Sequence, residues 1–192
     1  KDRLYTTAPK SLARRSAQSA LWHITQAFVR LLAPITAFTA EEVWQVLTGK
    51  EDESVMFQLW HELPKPEGEG ELLAKWALIR TARADVTKAL EEQREAGKIG
   101  SALQAAVEIR CAGEKYEALA SLGDDLKFVL ICSSTVAFRD DNEAVIATPL
   151  DHAKCERCWH VREDVGADAA HPGLCGRCVS NLHGEGEVRT CA

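Results

Sequence analysis

Cys155 and Cys158 form one Cys-x-x-Cys pair, and Cys175 and Cys178 form a second. The spacer, residues 159–174, has the length found in four-cysteine zinc sites. Two residues between ligands let a tight turn aim both sulfurs at one ion, and two such turns supply the tetrahedral thiolate set that zinc accepts. Four thiolates leave no open position for an activated water, so the expected chemistry is structural: one zinc ion holding a segment of about 40 residues that is too short to build a sufficient core. Zinc binding in small peptides is worth about 10–16 kcal/mol, enough for that task. Gly176 eases the second turn. His160 and His171 stand open as substitute ligands. A redox pair or two disulfides is the rival chemistry, but neither accounts for the doubled pair at this spacing. Of the other three cysteines, Cys111 and Cys132 read as small buried hydrophobes and Cys191 as an exposed tail thiol.

Arg157, Trp159 and Arg177 lie in or beside these turns. A metal would fix them on a rigid surface, where an aromatic ring and guanidinium groups can stack on unpaired bases and pair with phosphates. Alternatively, Trp159 packs the miniature core and the arginines solvate it. Charge does not decide: residues 151–192 hold seven acids against five basic groups, and the chain carries −6 overall. That average hides an asymmetry. Residues 1–40 hold six basic groups, Arg14 and Arg15 among them, against Asp2 alone, whereas residues 41–71 hold nine acids against two lysines.

The elements that must carry these groups follow from periodicity. Leu21, Ile24, Phe28 and Leu31 recur at helical steps between Leu12 and Leu32 and predict a buried stripe, ended by Pro34. In "FTAEEVWQVLTGK", Thr39 and Glu42 have capping-box spacing, Phe38 and Val43 can form a hydrophobic staple, and Gly49 suits the stop. The buried face there is predicted as Val43, Trp44 and Leu47. "LPKPEGEGE" (63–71) reads as a linker. Leu72, Trp76, Ile79, Val86 and Leu90 then mark a long helix ending near Gly97. Leu103, Ala105, Val107, Ile109 and Cys111 alternate as a strand, followed by a short helix around Tyr116–Leu122, an ambiguous apolar run 126–132, and the strand-like "STVAF" and "AVIAT". The expected fold is α+β in three segments: a helical portion 1–66, a small α/β domain 67–150 and a four-cysteine zinc knuckle 151–192.

The 192 residues, 46% hydrophobic and 27% charged, have a globular balance. No apolar run approaches the roughly 20 residues a bilayer requires, and "KDRLYTTAPKSLARR" has no secretory character. A soluble, cytoplasmic protein is expected, with no membrane partner, and paired thiols in a reducing compartment favour a metal. The chain starts at Lys1 and its single methionine is Met56, so it reads as a piece of a longer polypeptide.

Four stretches, in order, resemble the C-terminal part of bacterial isoleucyl-tRNA synthetases, which are class I enzymes. "KDRLYTTAPKSLARRSAQSAL" and "LAPITAFTAEEVW" are similar to that family's helical anticodon-binding domain, "AGKIGSALQAAVEI" to the junction that follows, and "KCERCWHVREDVG" with "HPGLCGRCVSNLHGEGEVR" to its terminal zinc segment. The resemblance implies a tRNA-recognition role, with tRNA(Ile) as partner, Arg14 and Arg15 positioning phosphates, and Arg157 and Trp159 meeting anticodon bases. It also implies a monomer, joined to catalytic and editing domains outside this sequence. ATP and magnesium would serve those domains only, since neither the His-x-Gly-His-type nor the Lys-Met-Ser-Lys-Ser-type motif occurs here and the segment alone should be catalytically inert. Two other functions compete. A related four-cysteine finger closes DNA-repair glycosylases, but these need an N-terminal proline and a neighbouring glutamate, and Lys1-Asp2 offers neither. A zinc-stapled protein-interaction module would need no nucleic acid at all.

Overall fold

The computed structural model describes residues 2–189. Its elements run α1 (Asp2–Tyr5), α2 (Leu12–Leu32), α3 (Ala37–Thr48), α4 (Glu69–Glu95), β1 (Ala105–Cys111), α5 (Gly113–Ala120), α6 (Leu126–Leu130), β2 (Ser134–Arg139), β3 (Ala144–Pro149) and α7 (Gly176–His183), with short 3-10 turns at Val55–Phe57, Ala102–Gln104 and Gly123–Asp125. The architecture is α+β. Two compact bodies form: residues 15–67, and the described residues up to Arg14 together with those from Gly68 onward.

In the body of residues 15–67, Val29, Ala33, Ala40, Trp44 and Val55 make the core. The predicted stripe of α2 is therefore corrected: Leu21, Ile24, Phe28 and Leu31 are all exposed. The pattern grouped these residues correctly on one helical face, but the core is made instead through Val29 and, just past the helix, Ala33, which cluster with Ala40 and Trp44 of α3. Trp44 is buried as expected and lies under the Arg30 guanidinium at 4.6 Å, whereas Val43 is exposed. The capping box is also displaced. Thr36 is the N-cap and makes no side-chain cap bond, so Thr39 sits inside the helix; the chain turns at Pro34 and re-enters helix early, with the Ile35 and Thr36 amides both donating to the Leu32 carbonyl. Glu41 ties α3 to the following turn, accepting from Ser54 Oγ at 2.8 Å and the Val55 amide at 3.1 Å. Gly49, at φ +69°, ends the helix as its residue type implied.

The other body is built on α4, whose Ile79, Ala82, Val86 and Leu90 face the sheet and are buried. β1 is the central strand, parallel to β2 (Val107 opposite Thr135) and antiparallel to β3 (Val107 opposite Ala147). Alternation places Ala105, Val107, Ile109 and Cys111 inward, as predicted. The strand begins at Ala105 because Leu103 belongs to the preceding 3-10 turn, and α5 starts at Gly113, ahead of the Tyr116 expected. The ambiguous run 126–132 resolves into α6 and a left-handed Ile131 at φ +61°. Cys111 and Cys132 are fully buried, and burial pushes the Cys132 thiol up to about 11, so both behave as inert core residues. Cys191 lies outside the described residues. Among the described residues no helix is long and apolar enough to cross a membrane.

Candidate metal centre and nucleic-acid surface

The first cysteine turn is closed by its own backbone. The Trp159 amide donates to the Cys155 carbonyl at 2.9 Å, the Cys155 amide to the His160 carbonyl at 2.9 Å, and Lys154 bridges Val161 in antiparallel fashion. The second turn opens α7, with Cys175 as N-cap and Cys178 one turn on. The Gly176 amide reaches Asp164 Oδ2 at 3.1 Å, and Asp164 is held in turn by Arg162 at 2.8 Å. Gly173 lies against the Glu156 carboxylate, so a side chain there would have that exposed carboxylate swing aside.

These turns bring the sulfurs of Cys155, Cys158, Cys175 and Cys178 within 4.8 Å of one another, all buried. Cys158 and Cys175 are 3.7 Å apart, too far for a disulfide and close to the roughly 3.8 Å that separates two sulfurs bound tetrahedrally at about 2.3 Å from zinc. Hydrogen bonding among the crowded thiols, that between Cys158 and Cys175 first, lowers the Cys175 thiol and raises that of Cys158. Crowded thiols that already share protons are the form from which a metal displaces the remainder. The donor set thus fits a zinc ion. The two histidines are occupied elsewhere: His160 is buried edge-on to Phe128 at 5.7 Å, burial lowering it to about 4, and His171 stacks on His183 at 4.1 Å.

Beside the first turn lies a cavity of about 590 Å³ lined mainly by apolar groups, including Tyr5, Leu103, Phe128, Ile131 and Trp159. Ile131 and Trp159 are the two non-glycine residues with left-handed backbone among the described residues, and both side chains are about half exposed (49% and 53%). Trp159 does not pack the miniature core, then. It stands outward, with the Lys154 ammonium 5.5 Å from its ring. Arg157 lines the same cavity but is half-buried, donating from Nη1 to the Thr6 carbonyl at 2.7 Å and from Nη2 to the Tyr5 carbonyl at 3.0 Å. Arg177 is half-buried, with its side chain only 8% exposed, and is bonded to Glu187, Asp2 and Thr6.

Residues 1–109 match the family described as the anticodon-binding domain of tRNA ligase. The chain belongs to that anticodon-binding family. Residues 154–181 match a second family, the zinc finger found in FPG and IleRS. That finger is shared by two kinds of protein, so the match over 1–109 is what disfavours the glycosylase reading. Over the whole chain this anticodon-binding protein is 88% identical to an isoleucine-tRNA ligase of Dechloromonas aromatica, covering 21% of that protein. It is 57% identical to the isoleucine-tRNA ligase of Aromatoleum aromaticum and 55% identical to isoleucine-tRNA ligase 1 of Burkholderia mallei, again over the whole chain and about a fifth of each relative.

Arg14 and Arg15 fall within the matched anticodon-binding span. Arg14 is half-buried, its Nη1 donating to the Thr7 carbonyl at 3.4 Å, and Arg15 is exposed beside Gln18, Ser19, Trp22 and His23, which line a shallow surface cavity of about 400 Å³. Sequence reasoning missed the acidic partners of Arg177 and Arg189, namely Asp2, Glu187 and Asp125. No local signal could have found Asp2, which is 175 residues from Arg177.

Proposed function

We propose that this chain is the tRNA-recognition part of an isoleucine-tRNA ligase, whose full length joins isoleucine to tRNA(Ile) with ATP and magnesium through domains outside this sequence. The observation that carries the reading is the 88% identity across all 192 residues to a protein of that name. Cys155, Cys158, Cys175 and Cys178 hold one structural zinc ion. The division of labour follows the segments 1–66, 67–150 and 151–192: a helical portion for the anticodon stem, an α/β junction, and a zinc knuckle for the anticodon loop, in a cytoplasmic enzyme acting as a monomer.

Arg14 and Arg15 position phosphates, which supplies affinity without base specificity. Trp159 stacks on an unpaired base, a role supported by its exposed ring at the rim of an apolar cavity. Arg157 sits beside it with both terminal nitrogens already engaged, and serves the surface by holding it in place. The exposed Leu21, Ile24, Phe28 and Leu31 support the view that the helical portion packs against the remainder of a longer enzyme.

The test is a binding titration of the zinc-loaded chain against tRNA(Ile) and the same tRNA with one anticodon base changed, at two salt concentrations. Tighter binding of the native anticodon by about 1–3 kcal/mol, the worth of a stacked base, is expected. Equal binding of both, with zinc in place, would reject anticodon reading by this segment.

A further inference from the structure

Arg157 and Arg177 occupy the same place in the two zinc turns, each immediately before the second cysteine. Both reach one segment at the opposite end of the sequence. Arg157 donates to the carbonyls of Tyr5 and Thr6, and Arg177 Nη2 donates to the Asp2 carboxylate and the Thr6 hydroxyl, each at 2.8 Å. Arg157 also directs Nη1 at Cys178 Sγ, 3.7 Å away, so one guanidinium touches a metal ligand and the distant segment together.

The segment needs such support. α1 has four residues, far short of the length at which a helix is stable in water alone. Yet Thr6 and Thr7 behind it are buried, and its terminal carbonyls point at a cation, as the helix dipole favours. The grip is itself braced. Glu187 takes Arg177 through two bonds of 2.8 Å and is fixed by Asn181, while Arg189 pairs with Asp2 and lies over the Phe128 ring at 3.8 Å. Burial pushes the Asp2 carboxyl up, but Arg177, Thr6 and Arg189 hold it below its ordinary range, so it remains an anion inside this clasp.

We infer that the two zinc turns form a two-armed clasp that fixes residues 2–7, so that metal occupancy and the order of this segment are a single equilibrium, with Arg157 and Arg177 as its positioning residues. The inference rests on the four-cysteine zinc reading. Its functional consequence is that the ion governs the backbone leading into α2 and Arg14, as well as the knuckle itself. Linkage makes the coupling reciprocal: whatever zinc does for the segment, the segment does for zinc.

Hydrogen exchange on the zinc-loaded chain tests this, with zinc content measured alongside. Chelation should raise exchange in residues 2–14 by roughly 10-fold or more while residues 79–90 of α4 stay protected, and Arg157→Gln should weaken zinc by roughly 10- to 100-fold, as loss of a donor to a ligand does. Arg157→Lys, which keeps the charge but lacks the fork, should not restore it. Asp2→Asn leaves both cysteine turns intact, and it should still speed zinc transfer to a chromogenic chelator by about 5-fold or more. One zinc per chain with unchanged exchange in residues 2–14 after chelation, or wild-type zinc transfer in Asp2→Asn, would overturn the clasp and leave the zinc site standing. Absence of zinc from the reduced wild-type chain would remove both.

Discussion

Ser133 and Val161 are joined by a buried hydrogen bond in which the Val161 amide donates to Ser133 Oγ at 2.8 Å, while the same hydroxyl donates to the Leu103 carbonyl at 2.5 Å. Ser133 stands between Cys132 of the α/β core and β2, and Val161 closes the first zinc turn. One hydroxyl therefore fastens the knuckle to the sheet. Ser133→Ala leaves the Val161 amide buried without a partner, which costs about 1–3 kcal/mol. A urea titration should show that loss with zinc still bound. Wild-type stability in the variant would mean that the knuckle is held by its other contacts.

Replacing Cys175 by serine should abolish stoichiometric zinc and unfold residues 154–181, since the ion supplies what their own small core cannot. The α/β core has independent packing through Ile79, Val86, Val107, Ile109 and Leu119 and should persist. Metal analysis of the reduced protein, paired with far-UV circular dichroism, separates the two effects. Full zinc content in the variant would show that Cys175 is not a ligand.

Legibility in the sequence followed the range of the interaction. Ligand spacing is local chemistry, so the four cysteines could be read off and their sulfurs converge. The inward residues of β1 and the stop at Gly49 are equally local, set by alternation and by a positive φ. The α2 stripe shows where this ends. Periodicity states that Leu21, Ile24, Phe28 and Leu31 share a face, but which face is covered depends on what packs there, and the smaller Val29 and Ala33 make the contact. The sequence neighbours of Arg157 suggest a group for RNA, yet the carbonyls that hold it lie 151 and 152 residues away. No window of sequence contains that pairing.

Arg15→Ala, and more so the Arg14→Ala and Arg15→Ala pair, should weaken tRNA binding about equally for every anticodon. The measurement is the slope of log affinity against log salt concentration, which should fall by roughly 0.7–0.9 for each phosphate that is no longer neutralised. Arg14 already donates to the Thr7 carbonyl, so its single substitution should lower the slope less than that of the exposed Arg15. An unchanged slope in the double variant would mean that the phosphate path runs elsewhere on the molecule.

Trp159 offers a way to separate folding from recognition at one position. Its φ of +65° is left-handed backbone that a bulky residue adopts under strain, costing about 1–3 kcal/mol, because the turn after Cys158 demands it. Glycine takes that conformation freely. In Trp159→Gly the relieved strain offsets the roughly 0.5–1 kcal/mol of extra unfolded-state freedom that glycine brings, so the melting midpoint should hold or rise and zinc content should not change. RNA affinity should nevertheless fall by about 1–3 kcal/mol once the stacked ring is gone. Trp159→Ala removes the same ring while keeping the strain, and should match the glycine variant in binding but not in stability. Loss of zinc in Trp159→Gly would show that the ring supports the knuckle. Wild-type RNA affinity in both variants would remove Trp159 from the recognition surface.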